Sequence, residues 1–167
     1  MGEEGEEGCR MTGYAIIKAQ DGHVPGIVEI WKEFMDYHKE LNPFHTRREG
    51  AHLSWEKFLK KMIESDDALV LVALSDDSVV GYSIARIKEY PPLFQHDKYG
   101  FISDMAVIAG QRRRRMGEKM LSMIFEWFDE NHVKRVELRV EPSNPIGYSF
   151  WRKHGFKEHV HTLSLER

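Results

Sequence analysis

Apolar residues recur along this chain in two alternating periods. Tyr14–Lys18 is a short strand candidate. Val24, Ile27, Val28, Trp31, Phe34, Met35 and His38 then fall at helical spacing, with Asp21 placed to cap the helix and Pro25 in its first turn. Asn42-Pro43 breaks that pattern, and Trp55, Phe58, Leu59, Met62 and Ile63 mark a second amphipathic helix. Ala68–Leu74 is a continuous apolar run, as in a buried strand. The turn Ser75–Ser78 joins it to a returning strand over Val79–Lys88, which predicts an antiparallel hairpin. After the loop opened by Pro91-Pro92 comes a strand over Tyr99–Ile108. A third helix carries Met116, Met120, Leu121, Ile124, Phe125 and Phe128 on one face, and its methionines read as core packing. Val136, Leu138 and Val140 alternate with charged residues, as in a strand with one apolar face. Asn144 caps a fourth helix that has Pro145 in its first turn and Gly155 at its end. A final strand is expected over Phe156–Leu165, placing His159 and His161 on one strand face and offering an edge for a homodimer.

The expected order is β-α-α-β-β-β-α-β-α-β. Hairpins feeding a βαβ crossover imply an α/β (α+β) fold, a mixed, mostly antiparallel sheet with helices on both faces. A chain of 167 residues fits one domain, and a domain of that length buries roughly 70% of the surface its unfolded chain exposes. We assign that domain to residues 11–167. Residues 1–10 are acidic and glycine-rich and read as a disordered extension. The one cysteine, Cys9, forms no internal disulfide, no apolar run reaches membrane-spanning length, and no leader pattern opens the chain. These features imply a reducing, cytoplasmic setting.

Charge then narrows the chemistry. The net charge is −3, so the basic character is local, concentrated in Arg112–Arg115. This run lies between a strand end and a helix start. Unpaired backbone N–H groups and the positive end of the helix dipole converge there, and guanidinium groups add charge-assisted contacts. A pyrophosphate is the natural guest. A nucleic-acid patch is the competing reading of the same arginines. His159 and His161 lack a third clustered ligand, so no metal site is expected.

At this junction the sequence resembles the GNAT superfamily of acyl-CoA-dependent N-acyltransferases, which carries Q/R-x-x-G-x-G/A between strand and helix. The matching stretch is Arg112-Arg113-Arg114-Arg115-Met116-Gly117, followed by the apolar pair Met120-Leu121. Arg115 stands at the first glycine of the pattern, where a left-handed backbone would strain an arginine. A second block, Asn144 to Phe156, is similar to the family's N-x-x-A-x-x-(L/F)-Y-x-K-x-G-F, with Trp151 at the usual tyrosine. The resemblance spans nearly the whole chain from Met11.

The resemblance implies a βαβ acyl-CoA-binding core and acetyl transfer from acetyl-CoA to a primary amine of a small molecule, peptide or protein, without a metal. It also implies parallel strands splaying at Met105 and Leu138 to admit the pantetheine arm. Met105, Ala106, Val107, Arg112–Arg115, Met116, Gly117, Asn144 and Trp151 are the expected cofactor-binding residues. A backbone N–H near Met105–Val107 would hold the oxyanion. Asp104 is the candidate base, with Glu137 and Glu141 as alternatives, and Tyr148, one helical turn before Trp151, is the candidate acid. An indole is not a practical proton donor in catalysis, so a non-catalytic acyl-CoA-binding sensor is the alternative function. The segment His38–His52 is expected to shape the acceptor pocket.

Overall fold

The computed structural model describes residues 13–167; the expected acidic extension over residues 1–10 lies outside them. Five strands form one sheet in the order β1 (Ala15–Lys18), β2 (Ala68–Ser75), β3 (Ser78–Glu89), β4 (Lys98–Val107) and β5 (Val136–Leu138). The first four pair antiparallel, and β4 pairs parallel with β5. Helices α1 (Val24–Leu41) and α2 (Ala51–Ile63) cover one face; α3 (Met116–Glu130) and α4 (Pro145–Lys153) pack on the other. Among the described residues no helix is long and apolar enough to cross a membrane.

The apolar run of β2 explains the two layers. Successive side chains of a strand point to opposite faces. Val70 and Val72 join Ile27, Trp31 and Leu59 under α1 and α2, while Leu69 and Leu71 join Met120, Ile124 and Phe128 under α3. The hairpin turn is tight because Asp76 and Asp77 both adopt left-handed conformations (φ 47° and 61°), which match the twist of the flanking strands.

Three expectations need correction. Helix α1 starts at Val24 with His23 at its cap, and Asp21 instead opens a short 3-10 turn. Strand β5 stops at Leu138 rather than Val140, because its pairing with β4 ends at Ile102↔Leu138. The expected strand over Phe156–Leu165 is absent. Phe156 packs on Trp151 and Phe125, but the chain beyond it reaches no strand edge and leaves Val160, Leu163 and Leu165 exposed. His159 and His161 therefore share no strand face.

Helix α3 lies unusually near the sheet at one point. A Cβ on Gly100 of β4 would come within 2.5 Å of the Phe128 ring, and Phe128 is one of the largest fully buried side chains. Gly100→Ala should therefore overpack this layer. We expect a loss of about 1–3 kcal/mol, seen as a Tm lowered by several degrees in thermal unfolding.

Candidate functional site

Strand β4 has two different edges. It pairs with β3 from Lys98 to Val107 but with β5 only at Gly100, Phe101 and Ile102. Beyond Leu138 the parallel strands separate and leave a cleft lined by Phe34, His38, Asp104, Arg139, Asn144 and Trp151 among others. Backbone direction alternates along a strand. The Ile108 N–H donates to Val80 on the β3 side, so Ala106 also turns its backbone groups toward β3. Met105 and Val107 turn theirs toward the cleft, where no strand pairs with them. Those groups form the free edge that the expected oxyanion donor and a pantetheine arm would use.

A bulge aims the carboxylate. Ala85 faces Ile102 and Ile84 faces Asp104, so Ser103 is one residue extra on β4. Without it Asp104 would point the same way as Ile102, into the α3 layer. With it Asp104 shares the α1–α2 face with Ile84 and Tyr82. The Tyr82 hydroxyl donates to Asp104 Oδ2 at 3.2 Å. Burial raises the Asp104 carboxyl to about 6, and the Tyr82 bond offsets only part of that rise. Tyr82 is itself fully buried, and desolvation together with Asp104 holds its phenol well above the usual value.

The two alternative carboxylates behave in the opposite way. Burial pushes Glu137 up, but the Tyr90 hydroxyl and the Arg135 guanidinium (Nε at 2.8 Å) outweigh it and hold the carboxyl low. The His45 ring, 3.1 Å away, leads the causes that lower Glu141. A base must want the proton near neutral pH, and of the three only Asp104 is shifted in that direction.

The arginine loop leads from a 3-10 turn (Ala109–Gln111) into α3. Arg115 occupies the cap position with φ 63° and ψ 13° and offers no side-chain cap, leaving the N–H groups of Met116, Gly117 and Glu118 without helical partners. Arg113 is also left-handed, at φ 63°. The backbone at Arg115 thus takes the shape a glycine favours, at a cost of about 1–2 kcal/mol for a residue with a Cβ. All four arginine side chains are exposed. Arg112 Nε donates to the Val107 carbonyl at 3.0 Å, and Arg114 bonds Gln111 and lies over the Tyr14 ring. Met116 buries its side chain in the core, so only its backbone is available to a ligand. Gly117 is needed by the fold as well: a Cβ there would sit 3.3 Å from the Phe150 ring of α4.

Helix α4 closes the cleft. Asn144 caps it by accepting from the Gly147 N–H at 3.0 Å, and it also accepts from the Tyr37 hydroxyl of α1 at 3.2 Å. Trp151 lines the cleft, but Tyr148 does not. Its hydroxyl donates to Glu158 at 2.6 Å, a bond that raises its pKa. The expected site residues therefore fall into three groups. Asp104, Met105, Asn144 and Trp151 meet at the cleft, Val107 and residues 112–117 follow at its mouth, and Tyr148 turns away. Sequence reasoning did not single out His38. Its Nδ1 donates to the Phe34 carbonyl at 2.8 Å, and the residue lines the cleft. Its apolar-face spacing gave no signal of this. Among the described residues no group of three or more His, Cys, Asp or Glu could hold a metal ion.

A mixed sheet split between two parallel strands, with a free helix N-terminus beside the split, is the architecture that the family resemblance implied. The sequence model of the Acetyltransferase (GNAT) family matches residues 26–156, and the chain belongs to that family. It is 20% identical over 145 residues to the uncharacterized N-acetyltransferase YhfO of Bacillus subtilis (strain 168), covering 86% of this chain and 89% of that one. Two solved structures share the fold. A tetramutant of the BH1408 protein from Bacillus halodurans superposes with a TM-score of 0.82 at 19% identity, covering 92% of this chain and 99% of that one. A predicted acetyltransferase with acetyl-CoA from Clostridium acetobutylicum gives 0.73 at 15% identity, covering 92% and 96%.

Two stability measurements probe this geometry. The folded Asp104 pKa of about 6 exceeds the unfolded value of about 4. Below pH 4 both states hold the proton, and no cost arises. As pH rises through 6 the fold must carry a poorly solvated charge at the half-buried Asp104, so stability is lost. Asp104→Asn should therefore unfold a few degrees higher than the parent at pH 8, with the gain fading by pH 4. Arg115→Gly should stabilise by about 1 kcal/mol through relief of the left-handed strain, read as a higher midpoint in urea; a lower midpoint would mean that the side chain contributes more than the strain costs.

Proposed function

We propose that this protein transfers an acetyl group from acetyl-CoA to a primary amine, with Asp104 as the general base. The observation that carries the reading is the raised carboxyl of Asp104 at the point where β4 and β5 part. Acetyl-CoA fits what surrounds it: the free backbone edge of Met105 and Val107, the uncapped start of α3, and four exposed arginines beside it. The helix start and the arginines suit the pyrophosphate, while the strand edge suits the amides of the pantetheine arm. Trp151 adds an apolar wall.

A lysine-like amine is neutral in only about one molecule in a few thousand at pH 7. Asp104, directly or through one water, takes the proton that would otherwise block attack. The amine nitrogen then bonds to the thioester carbon. The Met105 or Val107 N–H receives the oxyanion, and the C–S bond breaks as the carbonyl reforms. The departing sulfur is a thiolate of ordinary thiol acidity, pKa about 8.5, so it leaves without a phenol in place and takes its proton from solvent. This route asks nothing of Tyr148, whose hydroxyl serves Glu158. The Trp151 substitution favours a second reading, an acyl-CoA sensor without turnover, and the same assay separates the two.

The expected kcat/KM profile with a primary amine falls on the acid side with a limb near pH 6. Asp104→Asn should remove that limb and lower turnover by about 10²–10⁴-fold, while acetyl-CoA binding, measured by calorimetry, stays within a few-fold of the parent. Tyr82→Phe removes a bond that lowers the Asp104 pKa, so its acid limb should move to higher pH. A limb that stays in place in Asp104→Asn would put the base elsewhere. Tight acetyl-CoA binding with no transfer to any amine would favour the sensor.

A further inference from the structure

The face of the sheet that carries Asp104 holds a second feature that acetyl transfer alone does not use. The register of β3 and β4 places Arg86 opposite Phe101 on this face, and Glu137 of β5 lies beside Phe101. Lys88 follows two residues beyond Arg86 on the same face, and Arg139 comes directly after the end of β5. Arg139 lines the cleft with Asp104. Lys88 Nζ rests 3.9 Å over the Phe101 ring, and the Arg86 guanidinium lies 5.6 Å from the Phe58 ring. Arg86 and Lys88 are half-buried, and Arg139 is exposed.

Among the described residues these three cations form no ion pair, and their head groups donate no hydrogen bond to the protein. The facing acid, Glu137, is already held by Arg135 and Tyr90. Burial first, then Arg86 and Arg139, push the Lys88 amine below its usual range, with Glu137 only partly opposing them. Like charges gathered on one face repel, and their common field favours an anion. Guanidinium groups in particular match a carboxylate with paired hydrogen bonds. The distance suits a small acceptor: Arg86 is two residues along β3 from Ile84, the partner of Asp104, which is about 7 Å.

We propose that Arg86, Lys88 and Arg139 form a carboxylate-binding subsite, and that the acceptor is a small amino carboxylate whose amine reaches Asp104 while its carboxylate meets these cations over Phe101. This inference rests on the acetyl-transfer reading, because it places the acceptor amine at Asp104.

The test compares pairs that exchange a carboxylate for an amide: phenylalanine with phenylalaninamide, and 4-aminobutyrate with its amide, each assayed for CoA thiol release. Values of kcat/KM are expressed per neutral amine, because loss of the carboxylate also lowers the amine pKa. The carboxylate member of at least one pair should be preferred by about ten-fold or more in kcat/KM, the range of one charge-assisted hydrogen bond. Arg139→Gln and Lys88→Gln should each collapse that preference, whereas Lys57→Gln, an exposed cation on α2, should keep it. Equal or better use of the amides, or a preference that survives both substitutions, overturns the subsite. Should no amine be acetylated, the transfer reading fails by itself, and the subsite is judged by binding. N-acetylphenylalanine must then bind the CoA-loaded protein more tightly than its amide, and lose that advantage in Arg139→Gln. Equal binding overturns the subsite.

Discussion

One constraint organises this molecule: β4 is fully paired on one edge and abandoned on the other after three residues. A buried strand ordinarily satisfies both edges, because an unpaired backbone group away from water costs a hydrogen bond. Here the second edge is opened where α3 begins and where the Ser103 bulge turns Asp104 to the opposite face. The free backbone edge and the carboxylate thus lie within the same few residues of β4. The split supplies backbone donors, the helix start supplies positive potential, and the bulge supplies a carboxylate, all within a segment from Ile102 to Gly117.

The chemistry of Asp104 depends on packing some distance from it. Trp31 of α1 stacks on Trp55 of α2 at 4.7 Å, and Trp55 meets the Tyr82 ring edge-on at 5.9 Å. Tyr82 then delivers its hydroxyl to Asp104. This aromatic row excludes water from one side of the carboxyl, which raises its pKa, and fixes the donor that limits the rise. The hydrophobic core of the α1–α2 layer therefore sets a proton affinity, and the same layer brings Phe34 and His38 to the cleft.

Much of this was legible in the sequence because it is local. The helix and strand order follows from periodicity, the burial of β2 from its unbroken apolar run, and the α4 cap from Asn144-Pro145. The arginine loop was legible through its position between a strand and a helix. What was hidden depends on pairing between distant segments. No property of Ser103 itself announces a bulge, since the extra residue exists only relative to β3. Asp104, Glu137 and Glu141 look alike in sequence, and they are distinguished by Tyr82, Tyr90, Arg135 and His45. The alternation over Phe156–Leu165 is compatible with a strand, but a strand also needs a neighbour. The Tyr148 hydroxyl is claimed by Glu158 from that same segment. Arg115 shows the converse case, an arginine holding the left-handed backbone that a glycine favours.

The bond from Arg112 to the Val107 carbonyl has a consequence for the protein before any ligand arrives. A bare strand edge is a template on which another chain can add a strand, and proteins guard such edges with charge. Beyond Leu138 this edge of β4 is covered by no strand among the described residues. The Arg112 guanidinium lies across its last carbonyl. A charge placed there stands where a further strand would otherwise pair, and so discourages aggregation.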